Sequence, residues 1–159
     1  MESVNEPRVV VDETNIPQFF RQTREYIFVD YVEVIPGNEA VGHGRTSAND
    51  WYFAYHFPNN PVMPGVFQME AIQQTAGLII NTIEGKESNQ IYFLSAETVK
   101  IKRRIGPDSE YVTHVKVIEK RRGIWKFEGD LEVDGKKSCQ MIFSLVDANE
   151  VNNYSVGAR

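Results

Sequence analysis

Apolar and polar positions alternate along most of the chain, and the alternation gives way once to a helical period. Residues 26–29 and 31–35 are dense in β-branched and aromatic side chains, and Pro36-Gly37-Asn38 then supplies a turn into a partner strand over 41–46. The second half repeats the strand pattern at 91–94, 99–104, 111–119, 124–133 and 137–146. Gly106-Pro107-Asp108, Arg121-Arg122-Gly123 and Asp134-Gly135 separate the later strands with turn chemistry. Asn15-Ile16-Pro17 before Gln18-Phe19-Phe20 reads as a short helix capped by the Asn15 side chain. Over 65–83, Val66, Met69, Ile72, Ala76, Ile79 and Ile83 recur at three- and four-residue spacing, and Ala71, Leu78 and Ile80 widen the stripe almost all round. Such a helix belongs in a core.

One long buried helix among about six antiparallel strands implies an α+β domain whose sheet wraps the helix. The chain has 159 residues, 42% of them hydrophobic, enough for one domain with its own core. That domain is expected to have its core over 14–147, with mobile segments at both ends. No stretch reaches the roughly 18–20 apolar residues that cross a bilayer, and residues 1–7 lack an apolar signal core, so a cytoplasmic protein is expected. Cys139 is the only cysteine, which excludes an internal disulfide and a thiolate metal cage, and its neighbours Met141, Ile142 and Phe143 suggest a reduced core thiol. A net charge of −5 argues against general affinity for nucleic acid. Nine of the seventeen basic residues nevertheless fall within 100–126.

The chemistry concentrates between His56 and Ala71. Pro58, Pro61 and Pro64 stiffen the loop, and a stiff loop can aim a side chain. Gly65 follows at the helix start, where the first N–H groups have no internal acceptor and the dipole favours an oxyanion. Glu70 lies a turn further on a helix that looks buried, where an unpaired carboxylate is costly or is driven toward its neutral form. His56 offers an imidazole, the side-chain type that can take up and release a proton near neutral pH, so the two supply a base and an acid. Taken singly, Glu70 would cap the helix start and His56 would bond to backbone. His43 and His114, without such context, read as surface or strand histidines.

The stretch resembles the signature of the hot-dog-fold dehydratases of type II fatty acid synthesis, the FabZ type. His56, Phe57, Pro58, Pro61, Met63, Pro64, Gly65, Val66, Glu70, Ala71 and Gln74 stand at matching positions, with the His-to-Glu separation 70 − 56 = 14. Two more blocks match: Val29-Asp30 through Ile35-Pro36-Gly37 to Ala40-Val41-Gly42, and Arg121 to Phe127 before Val133-Asp134-Gly135. The resemblance spans roughly residues 26–146. The chain departs from it at Tyr55 and Asn59, where the family has Gly, and at Arg21-Gln22-Thr23-Arg24, where the family has a Pro-His-Arg block. Its turn at Gly106-Pro107-Asp108 also replaces the family's Pro-Gly-Asp.

The resemblance implies a hot-dog fold and reversible loss of water from a (3R)-hydroxyacyl thioester to a trans-2-enoyl thioester, with no metal and no cofactor. His56 is then the base for the α-proton, Glu70 the group that handles the departing hydroxyl, and the Gly65 N–H the donor to the thioester carbonyl. Tyr55, Phe57, Met63, Pro64, Val66, Gln74, Tyr92 and Phe93 would bind substrate, with Tyr92 and Phe93 lining the acyl tunnel. The expected partner is an acyl carrier protein bearing a 4'-phosphopantetheine-linked chain, docking at Lys100, Lys102, Arg103 and Arg104. The resemblance also implies a homodimer, in which the His and Glu of one site come from different copies, and a trimer of dimers is common. Two other readings share these residues: a hot-dog acyl thioesterase, and a non-catalytic acyl-binding subunit.

Overall fold

The computed structural model describes residues 6–151. Seven antiparallel strands form one sheet: β1 (Val9–Val11), β2 (Tyr31–Ile35), β3 (Glu39–Arg45), β4 (Ile91–Ile101), β5 (Glu110–Arg121), β6 (Ile124–Val133) and β7 (Lys136–Asp147), in the order β1-β2-β3-β5-β6-β7-β4. A short helix α1 (Ile16–Phe19) lies near the start, and the long helix α2 (Gly65–Asn81) joins β3 to β4 by crossing one face of the sheet. The connection carries the chain from one side of the sheet to its far edge, so the helix packs against β2 through β7. This is the hot-dog arrangement. Ile72, Ala76 and Ile79 of α2 are fully buried together with Phe127, Leu131 and Phe143 of the sheet. Each such aliphatic side chain contributes about 1.5–3 kcal/mol by leaving water.

The strands follow the alternation closely, with three differences. β1 is a three-residue strand paired to β2 through Val9↔Val34 and Val11↔Val32, too short for a periodic signal of its own. Residues 91–101 form one strand, in which the polar interruption at 95–98 is absorbed by register shifts against β7 between Phe93 and Ser95 and between Ala96 and Thr98. Residues 26–29 do not join the sheet. Arg24–Tyr26 is a 3-10 turn, and the following residues are held by side chains described below. The turns behave as their residues require: Asp134 and Gly135 take φ of 53° and 71°, a pair that suits a two-residue hairpin.

Asn15 precedes α1 but makes no side-chain cap bond to it. Its Oδ1 accepts from the Asp12 N–H at 2.7 Å and its Nδ2 donates to the Val10 carbonyl at 3.0 Å, tying α1 back to β1. At the other end, the buried Asp147 accepts from Asn89 Nδ2 at 2.9 Å and from the Asn149 N–H at 3.0 Å. Residues 1–5 and 152–159, parts of the two segments expected to be mobile, lie outside the described residues.

Candidate active site

The loop that carries His56 is fastened at both ends. Trp51–Ala54 is a 3-10 turn, and the N–H groups of Tyr55 and His56 both donate to the Tyr52 carbonyl, at 3.1 and 2.9 Å. Phe67 of α2 stacks on Phe28 at 4.8 Å and meets Tyr52 and Trp51 at 5.3 and 5.7 Å, so an aromatic cluster glues this turn to the helix. Past His56, Phe57 and Asn60 exchange backbone bonds at 3.1 and 3.0 Å, and the Val62 N–H closes onto the His56 carbonyl at 2.8 Å. Met63 is buried, and its N–H donates to the Ile105 carbonyl at 2.7 Å. Three prolines leave little freedom between these anchors. The His56–Phe57 peptide is cis, and the two rings stack at 4.0 Å.

The imidazole of His56 is aimed by this closure. Its Nδ1 lies 2.8 Å from the Val62 carbonyl oxygen, which can only accept. Nδ1 therefore carries a proton, and in the neutral imidazole the lone pair lies on Nε2. This is the tautomer a general base needs.

Pro64 precedes α2 without a side-chain cap, and among the described residues neither the Gly65 nor the Val66 N–H has an acceptor. Two donors at the positive end of a helix dipole thus remain free. A Cβ at Gly65 would lie 2.7 Å from Ile101 Cδ1, so only glycine lets the backbone meet the β4 edge without pushing that side chain aside. Val66, beside it, is 63% exposed.

Glu70 faces a different setting. Gln74, one turn on, is buried and spends its amide on three partners: Oε1 accepts from the Phe28 N–H at 2.8 Å, and Nε2 donates to the Tyr26 carbonyl at 2.8 Å and to Glu70 Oε1 at 3.2 Å. Gln74 therefore both fastens residues 26–28 to the helix and positions the carboxylate. Burial raises the Glu70 pKa above its usual value, and the bond from Gln74 opposes that only in part. A carboxyl held toward its neutral form can give a proton to a leaving hydroxide.

Glu70 opens onto a cleft of about 370 Å³ between α2, β4 and the 19–22 segment. Tyr92 and Phe93 line it, where the acyl tunnel was expected, and so do Phe19, Phe20, Asn81, Asn89 and Gln90, which the sequence reading did not single out. The signal for one of these was present: Asn81 interrupts the apolar stripe and lies seven positions from Gln74 and eleven from Glu70, on one helix face. Phe19 and Phe20 reach the cleft through long-range packing, which no local pattern announces.

Among the described residues, no hydrogen bond or ion pair joins His56 to Glu70 within the chain. Tyr55 and Phe57, flanking His56, are 77% and 52% exposed. Lys100, Lys102, Arg103 and Arg104 are exposed at and beyond the end of β4, with no ion-pair partner among the described residues. His114 pairs with Asp130 at 3.1 Å across β5 and β6 on the outer face of the sheet, and His43 packs beside Tyr31. Cys139 is buried, and burial raises its thiol pKa to about 11, so it is no nucleophile at neutral pH.

A family model described as a FabA-like domain matches residues 23–142. Over 144 residues the chain is 35% identical to the 3-hydroxyacyl-[acyl-carrier-protein] dehydratase FabZ of Paramagnetospirillum magneticum, covering 89% of each chain. It is 36% identical over 125 residues to the FabZ of Rhizobium etli, covering 78% of this chain and 81% of that one. Among solved structures, conserved protein PA5202 from Pseudomonas aeruginosa matches with a TM-score of 0.64 at 16% identity, over 82% of this chain and 97% of that one, a likeness of fold.

Proposed function

The chain belongs to the family of FabA-like domains, and from that membership we propose a reaction site built of His56, the Gly65 amide and Glu70, completed between two copies of the chain. It is a 3-hydroxyacyl-[acyl-carrier-protein] dehydratase, a lyase of fatty acid biosynthesis whose substrate is an acyl chain on its carrier protein. The tautomer of His56 is the observation that best supports the assignment of roles.

Nε2 takes a proton from C2 of the (3R)-hydroxyacyl thioester. Charge that builds on the thioester oxygen is met by the free N–H of Gly65. Glu70 gives its proton to the C3 hydroxyl, which leaves as water while the C2–C3 double bond forms, trans. Reversal of the same steps hydrates the enoyl thioester. Phe57, Met63, Pro64 and Val66 would shape the entrance, Tyr55 would border it, and Tyr92 and Phe93 would hold the acyl chain.

The minimal unit in this reading is a homodimer, or a trimer of such dimers. β4 is an edge strand of eleven residues, and Phe93, Leu94, Val99 and Ile101 are exposed on it. A long apolar edge of this kind is a surface made for pairing. Because Gly65 abuts Ile101, the start of α2 is carried to that same edge. Lys100, Lys102, Arg103 and Arg104 would receive the acidic carrier protein there, mostly by speeding encounter. One hot-dog domain working in the cytoplasm completes the proposal. No described helix is long and apolar enough to cross a membrane.

The test is to incubate the protein with short- to medium-chain 3-hydroxyacyl and enoyl thioesters of the carrier protein. Rise or loss of enoyl absorbance without release of free thiol is expected. Thiol release without enoyl formation would make it a thioesterase, and tight binding without turnover would leave a non-catalytic acyl-binding subunit.

A further inference from the structure

The cleft that opens at Glu70 does not end in an apolar pocket. Its far end is lined by Asn81, Asn89 and Gln90. Asn81, the last residue of α2, is only 7% exposed, and its orientation is set by what its amide nitrogen does. Nδ2 donates to the carbonyls of Lys86 at 2.9 Å and Asn89 at 3.1 Å, and two carbonyls cannot be served by the oxygen. Oδ1 is therefore turned away from that loop. Among the described residues no donor reaches it, although Asn81 lines the cleft. The neighbouring amides are already engaged: Asn89 Nδ2 donates to Asp147, and Gln90 Oε1 accepts from Tyr92. The free acceptor is thus a fixed one. The Asn81 amide cannot turn over without breaking the two bonds that its Nδ2 gives to the 82–90 loop.

We propose that Asn81 Oδ1 is a specificity-determining acceptor for a hydroxyl, or another hydrogen-bond donor, on the distal part of the acyl chain, so that the preferred substrate is a polar-ended acyl thioester, not a plain saturated one. Glu70 and Asn81 are eleven residues apart on one helix face, which places the acceptor about 16 Å along the axis from the reacting end at 1.5 Å per residue. A plain methyl terminus arriving there would displace water from an amide oxygen that solvent reaches through the cleft, and give nothing in return. A terminal hydroxyl replaces that water.

The inference rests on the reading that the acyl chain enters at Glu70. It is tested by binding, apart from turnover. Unreactive acyl-pantetheine amides with chains of increasing length, each with and without a terminal hydroxyl, are titrated into the full chain by calorimetry. At one chain length the hydroxylated member should bind about three- to tenfold tighter than its plain counterpart, the size of one net hydrogen bond. Asn81→Leu should abolish that difference, with circular dichroism reporting whether it folds. Should that variant not fold, the wild-type comparison decides alone. Equal or tighter binding of the plain member at every length overturns the inference and leaves the dehydratase reading intact. A hydroxyl preference in a protein that forms no enoyl product upholds the inference and overturns that reading.

Discussion

The His56 loop and the Glu70 cleft are neighbours in sequence and differ in nearly every physical respect. Around His56 the side chains are apolar and turned outward: Tyr55, Phe57 and Val66 are all more than half exposed, and the imidazole is held by one backbone carbonyl and the Phe57 ring. Around Glu70 the surroundings are a cleft, a buried amide that touches the carboxylate, and phenylalanines brought from α1 and β4. One half is a walled cleft without an imidazole, and the other is an aimed imidazole without a cleft. This division is what the proposed site, shared between two copies, would require, because the exposed apolar half would gain its walls on association.

The largest expected effect removes the base. His56→Ala should lower turnover by about two to four orders of magnitude with the fold unchanged, as followed by enoyl absorbance. The sharing itself is broken or upheld by mixing. His56→Ala and Glu70→Gln are each inactive alone, yet after unfolding and refolding together about a quarter of wild-type activity should return, since half of the dimers are mixed and each has one intact site. No recovery would place both residues in the same copy's site.

Two smaller effects sharpen the cleft side. Gln74→Leu leaves the buried Phe28 N–H unpaired, at about 1–3 kcal/mol by chemical denaturation, and frees the part-buried Tyr26 carbonyl at a smaller cost. Glu70→Gln reads the carboxyl's burial. A carboxyl whose folded pKa is raised disfavours the folded state above that pKa and costs nothing below its unfolded value of 4.5. The variant should therefore melt higher than wild type at pH 8 and equally at pH 4, as followed by thermal unfolding at the two pH values.

Much of this was legible along the chain. The helix over 65–83 appears as Gly65–Asn81, and the strands 111–119, 124–133 and 137–146 appear within β5, β6 and β7, because each has a long apolar period that survives any tertiary context. His56, Gly65 and Glu70 stood out because prolines, a helix start and a misplaced charge are local facts. β1, the joining of 91–94 to 99–101 across two bulges, and the 3-10 turn at Arg24–Tyr26 were not legible, since each depends on a partner elsewhere. The segment 26–29 looks like a strand by composition, but Gln74 takes the backbone groups that a neighbouring strand would have used.

By itself the sequence determined the fold class, the family and the three groups on which the proposed chemistry rests, because periodicity, turn residues and motif spacing are properties of neighbours along the chain. Only the tertiary structure decided which nitrogen of His56 is free, what Gln74 holds, and which loop the Asn81 amide nitrogen serves. Each of these depends on a hydrogen bond to a residue that no spacing identifies: the Val62 carbonyl, the Phe28 amide and the 86–89 loop. Hydrogen bonds are short-ranged and directional, so their partners exist only once the chain has folded.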